Sequence, residues 1–112
     1  MSAKPRTVVS LGSEDAVVQL ADLFRLMGDP TRLRIILVCL DEPISVGEIA
    51  DRLTLSPSLV SHHLRLLKAA RILRAERRGK QIFYSALDEH VCCVIDDMVA
   101  HVGEPLDIGG PD

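Results

Sequence analysis

The stretch Ser45-Val46-Gly47-Glu48-Ile49-Ala50-Asp51-Arg52-Leu53-Thr54-Leu55-Ser56-Pro57-Ser58-Leu59-Val60-Ser61-His62-His63-Leu64 contains two helix starts in close succession. Ser45 followed by Glu48 has the form of a capping box, in which the serine hydroxyl satisfies a free backbone N–H and the glutamate answers it. Ile49, Ala50 and Leu53 then supply the buried stripe of a short helix. Ser56 and Pro57 open a second one: a hydroxyl at the N-cap, then proline at the first helical position, where its missing N–H costs nothing. That helix continues through Ser58, Leu59, Val60, Leu64, Leu66 and Leu67 to about Ala70. Two short helices joined by Thr54-Leu55-Ser56 predict a helix-turn-helix.

Beyond Arg71 the apolar period changes to two. Ile72 to Arg77 and Gln81 to Ser85 flank Arg78-Gly79-Lys80, which reads as a hairpin turn with glycine where positive φ is wanted. This hairpin is the wing. Asp88 then caps a last helix with Val91, Val94, Ile95, Met98 and Val102 apolar, closing before Gly103 to Pro105. Upstream, Ser13 caps a first helix carrying Val17, Leu20, Leu23, Phe24 and Met27 at helical spacing. Gly28 ends it, Asp29 caps the next, and Pro30 opens a second helix that runs to about Leu40 before Asp41-Glu42-Pro43 breaks the chain.

The fold class is mainly α with a small β-hairpin: a winged helix-turn-helix of about five helices and a two-stranded wing. Residues 1–12 read as a flexible N-terminal arm, 13–104 as the working domain, and 105–112 as a disordered tail.

A chain of 112 residues with 47% hydrophobic content supports one core. Aromatics make up only 3%, so that core is aliphatic. No apolar run approaches the roughly 18 to 20 residues needed to span a bilayer, and Met1 to Ser10 lacks the apolar stretch of a signal peptide. A cytoplasmic protein is expected. The three cysteines, Cys39, Cys92 and Cys93, form no disulfide framework and fit a reducing compartment. No nucleophile–base set or phosphate-cradling glycine loop appears, which argues against an enzyme.

A net charge of −3 and a pI near 5.8 speak against nucleic acid when averaged over the chain. The distribution reverses that. Arg65, Lys68, Arg71, Arg74, Arg77, Arg78 and Lys80 are crowded around a single acid, Glu76. In a helix-turn-helix the second helix enters the major groove, its N-terminal residues meeting bases and phosphates. Here that end offers Ser56, Ser58, Ser61 and His62, on a helix N-terminus that itself favours phosphate. Arg65 and Lys68 can follow the backbone, while Arg77, Arg78 and Lys80 in the wing reach a neighbouring phosphate or the minor groove. Double-stranded DNA is the expected partner.

Gly28-Asp29-Pro30-Thr31-Arg32-Leu33, then Ser58-Leu59-Val60-Ser61-His62-His63-Leu64 and the basic hairpin, resemble the ArsR/SmtB family of metal-responsive repressors from about residue 14 to 104. The resemblance implies a homodimer formed through the first and last helices, and repression of an operator that effector binding relieves.

The last helix carries Asp88, His90, His101 and Glu104. His90 and His101 return to nearly the same face, but a rise of about 1.5 Å per residue separates them by roughly 16 Å. One ion cannot touch both within one helix. If two copies pair antiparallel across a twofold axis, the Asp88/His90 end of one lies beside the His101/Glu104 end of the other, giving two four-ligand sites. Two imidazoles and two carboxylates suit zinc, with cobalt(II) a natural substitute. Nickel usually wants more ligands, and the N-terminal arm adds no His or Cys. The pattern is that of the zinc- and cobalt-sensing members of the family. The resemblance further suggests that His101 acts through a backbone carbonyl at Arg71.

Cys92 and Cys93 hold open a second effector chemistry, since thiolates select softer ions or respond to redox. Neighbours on a helix diverge by about 100°, and a free cysteine is often simply packed, which is the expectation for both and for Cys39. A metal-binding or interaction protein that no longer reads DNA is the remaining alternative.

Overall fold

The computed structural model describes residues 14–105. The arm over 1–12, the cap at Ser13 and the tail beyond Pro105 lie outside them. In chain order the elements are α1 (Glu14–Met27), α2 (Pro30–Asp41), β1 (Ile44–Ser45), α3 (Val46–Leu53), α4 (Pro57–Ala69), β2 (Leu73–Arg78), β3 (Gln81–Ala86) and α5 (Glu89–Gly103).

Side-chain caps start the helices. Asp29 accepts from the Arg32 N–H at 3.0 Å, Ser56 from the Leu59 N–H at 3.1 Å, and Asp88 from the Val91 N–H at 3.2 Å. Ser45 likewise accepts from the Glu48 N–H at 3.3 Å, but the expected box is only half made. Glu48 turns its carboxylate to Arg52 one helical turn on, at 3.0 Å. Ser45 is meanwhile the last residue of β1, opposite Phe83 in β3.

That strand adds a third member beside the expected two-stranded wing. The sheet has three antiparallel strands in the order β1-β3-β2. Two residues are too short to show a period of two, so β1 left no pattern to read. The hairpin itself is as expected: Arg78 pairs with Gln81, and Gly79 between them has φ +65°. A left-handed residue at the first turn position matches the twist of the strands.

The core is aliphatic. Ile35, Ile36 and Cys39 of α2 meet Ile44, Ile49, Val60, Leu64, Leu67, Ile72 and Leu73, with Ile95 alone from α5. In α4 the buried set Val60, Leu64, Leu67 recurs at helical spacing, which leaves the opposite face to solvent. Its C-terminus closes with the Ile72 N–H on the Leu67 carbonyl (2.9 Å) and the Arg71 N–H on Lys68 (3.0 Å). This pair places Arg71 at φ 64°, the left-handed position that glycine usually takes at a helix end.

The outer helices behave differently. α1 buries no residue completely, and Val17, Leu20, Phe24, Val94, Met98, Val99 and Val102 stay exposed. Their spacing is helical, as expected, yet they do not enter this chain's core. α1, α2 and α5 enclose an apolar groove of about 330 Å³ lined by Phe24, Met27, Leu37, Met98 and Val102 among others. An apolar surface of that continuity marks a protein contact. No helix among the described residues is long and apolar enough to cross a membrane.

Candidate DNA-reading and metal-binding sites

The outward face of α4 carries Ser58, His62, Arg65 and Lys68, all exposed, with Ser61 half-buried beside them. Ser56 is exposed as well, but its Oγ accepts the Leu59 N–H and so is first of all a cap. Leu59, one of the apolar residues of this helix, is 40% exposed. The buried stripe runs through Val60, Leu64 and Leu67, and Leu59 lies about 100° away from Val60 around the helix.

His63 was not among the expected site residues. Its side chain is half-buried and its Nδ1 accepts from the Arg32 Nε–H at 3.3 Å. Burial first, then the Arg32 charge, hold the imidazole below the ordinary histidine range, against a smaller opposing pull from Asp29. The Asp29 carboxyl is itself lowered, chiefly by the Arg32 N–H that it caps. The two partners are 31 positions apart in sequence, so no local pattern signals the contact.

In the wing, Arg77 and Lys80 extend into solvent. Arg78 is restrained: it pairs with Glu76 at 3.2 Å, and its guanidinium lies over the Phe83 ring at 5.1 Å. Arg74 donates to Ser85 across the strand pair at 3.3 Å.

On α5 the four ligand-type residues sit at opposite ends. Asp88 caps the helix with Oδ1, which leaves its second oxygen for another partner, and His90 is exposed within the first turn. His101 is exposed in the last turn, where its carbonyl accepts the Glu104 N–H at 3.3 Å, so Glu104 is the C-cap. Among the described residues no three His, Cys, Asp or Glu of one chain come together to hold a metal ion. One chain thus carries one imidazole and one carboxylate at each end of α5. All four are exposed, and two imidazoles with two carboxylates are the donor types that would hold a four-coordinate borderline ion if brought together.

The cysteines divide. Cys39 is buried, and burial pushes its thiol up to about 12. Cys92 is half-buried, its thiol raised by burial and by the charges of Asp96 and other neighbours, which leaves little thiolate. Cys93 is exposed, against the expectation of packing, because it points away from Val91 and Ile95, the α5 side chains that pack on the core.

Residues 29–75 match the arsR family of bacterial regulatory proteins. Over 83 residues the chain is 37% identical to the HTH-type transcriptional repressor SmtB of Mycobacterium tuberculosis, covering 74% of this chain and 62% of that protein. Over 93 residues it is 34% identical to the cadmium resistance transcriptional regulatory protein CadC homolog of Staphylococcus aureus, covering 82% of this chain and 77% of the other. The chain belongs to the arsR family. Its fold is that of the apo-NmtR solution structure, with a TM-score of 0.73 at 29% identity over 100% of this chain and 92% of that one. The arsR match takes in the whole helix-turn-helix and stops within β2, so the wing tip and all four ligand-type residues of α5 lie beyond it. The relatives are transcriptional regulators, and the fold is a winged helix-turn-helix.

Proposed function

We propose that this arsR-family chain is a metal-responsive repressor that binds operator DNA as a homodimer and is released by zinc, with cobalt an effective substitute. The observation that carries this reading is the state of the outer helices. α1 and α5 leave an apolar face open, and α5 has Asp88 and His90 at one end and His101 and Glu104 at the other. A second copy, laid antiparallel on α5, covers the apolar face and completes both sets at once. Dimerisation and sensing thus use one surface.

The reading helix offers Ser58, Ser61 and His62 to base edges, with Ser56 donating its hydroxyl hydrogen to a phosphate while it caps. Arg65, Lys68, Arg77, Arg78 and Lys80 follow the backbone. A twofold dimer presents two such helices, which calls for a palindromic operator. Residues 13–104 form the DNA-binding and dimerisation domain, and the protein works in the cytoplasm.

Asp88 and His90 of one subunit, with His101 and Glu104 of the other, are the metal ligands. The bound ion supplies a fixed cross-link between the two α5 helices. The His101 imidazole has a second nitrogen, whose hydrogen bond to the Arg71 carbonyl ties α5 to the end of the reading helix. DNA and metal then oppose one another with a coupling of a few kcal/mol. The cadmium-related name of one relative leaves room for softer ions, but the raised Cys92 thiol disfavours a thiolate site at Cys92 and Cys93.

The test is a titration of the dimer on a fragment of its own promoter, with zinc, cobalt, nickel, cadmium and arsenite added in turn. Release by zinc and cobalt is expected. Release by arsenite or cadmium alone points to the cysteines, and salt-insensitive or absent binding removes the repressor.

A further inference from the structure

Arg32, Asp29 and His63 form a junction that the repressor scheme has not used. Arg32 sends its Nη1 to the Leu26 carbonyl in the last turn of α1 and its Nε to His63 Nδ1 in the middle of α4, both at 3.3 Å. Its own N–H is capped by Asp29. One guanidinium therefore joins the end of α1, the start of α2 and the reading helix. The contact also assigns the imidazole. A nitrogen that accepts from a guanidinium carries no hydrogen, so His63 is neutral and protonated on Nε2. Its ring lies 5.6 Å from that of His62, tilted by 59°.

We infer, resting on the repressor assignment above, that His63 is a positioning residue for the reading helix: as a neutral acceptor for Arg32 it holds α4 and the adjoining His62 against α1, and its protonation frees them and weakens operator binding. The charged groups that face it are Arg32 from α2, Asp29 from the α2 cap and His62 from α4. An imidazolium has no lone pair for Arg32 and sets a second cation beside it. Asp29 favours the imidazolium and offers it another partner, so protonation exchanges one contact for another. Burial and the Arg32 charge win over Asp29 in the native state. The contact is accordingly intact at neutral pH and is lost as pH falls from about 6.5 through the lowered native value. Over that window the unfolded chain binds more protons than the native one, so fold stability declines in the same direction.

The experiment compares the intact protein with His63→Asn on a labelled fragment of its own promoter, at about pH 8 and about pH 5.5 and at constant ionic strength. The asparagine amide oxygen replaces Nδ1 as acceptor and does not titrate. Every other group that titrates in this range, His62 included, acts on both proteins alike and drops out of the ratio. Wild type and variant are expected to bind equally at the higher pH, and wild type more weakly than the variant at the lower, by less than about tenfold, because a native value below about 6.5 leaves part of the imidazole neutral there. A ratio independent of pH overturns the inference. Nitrogen NMR of the histidine side chains, without DNA, provides an independent readout. His63 should show hydrogen-free Nδ1 and titrate below about 6.5, and Arg32→Gln should raise that value. A His63 protonated on Nδ1, or unmoved by Arg32→Gln, also overturns it. If neither protein binds the fragment at the higher pH, the repressor assignment fails instead, and the NMR result decides the state of His63 by itself.

Discussion

Thr54 lies at the corner between α3 and α4 with φ 56°, and there its β-branched side chain is strained. The left-handed conformation costs an L-residue about 1–2 kcal/mol, whereas glycine's extra chain entropy costs about 0.5–1. The strain outweighs the entropy. Thr54→Gly is therefore expected to stabilise the fold by roughly 1 kcal/mol, seen as a rise of a few degrees in Tm. No gain in a thermal melt would mean that the side chain has compensating contacts. The four caps Asp29, Ser45, Ser56 and Asp88 were readable because a cap bonds within its own turn. His63 was not, since its partner Arg32 comes from another helix. The apolar residues of α4 likewise show that a stripe exists but leave its edge, with Leu59 outside it, to be set by what packs against the helix.

Among the elements, the wing shows how one acid can moderate a basic strand. Glu76 holds Arg78 in an exposed pair at 3.2 Å, and a phosphate must compete for that cation. Such pairs contribute well under 1 kcal/mol, so Glu76→Gln should tighten promoter binding by roughly threefold at low salt. The gain should vanish in concentrated salt, where exposed charges are screened. Unchanged affinity in a low-salt anisotropy titration would show that Arg78 stays off the DNA. In α5, Cys92→Ser/Cys93→Ser is expected to leave zinc release intact, because the Cys92 thiol is raised and the zinc donors proposed here are histidines and carboxylates. Loss of the zinc response in that variant would move the site to the thiols. At this scale the helices and the hairpin were legible from periodicity and turn chemistry, while β1 had to be found through its pairing with β3.

At the scale of the molecule, the apolar face of α1 and α5 is the feature that one chain leaves unfinished. Met98 is 54% exposed within one chain, so Met98→Glu should leave the monomer fold intact by circular dichroism. It should also convert the protein to monomers in sedimentation and cut promoter affinity by at least tenfold, since one reading helix replaces two. A variant that remains dimeric would place the interface elsewhere. His101→Gln belongs to the same scale: it should keep some metal affinity yet lose metal-driven release, because the imidazole proposed to reach the Arg71 carbonyl is gone. Normal release in that variant would refute the coupling route.

What the sequence by itself determined is local and periodic. Caps, proline at helix starts, glycine in the hairpin and the apolar spacings placed five helices and a wing, because each acts within a turn or a strand pair. The spacing from His90 to His101 also showed that one helix cannot close one site, since helix rise is fixed. Only the tertiary structure decided which apolar stripes enter the core and which stay open, and that Arg32 joins α1 to His63 on the reading helix. Those outcomes depend on which surfaces face each other after folding, and no spacing along the chain records that.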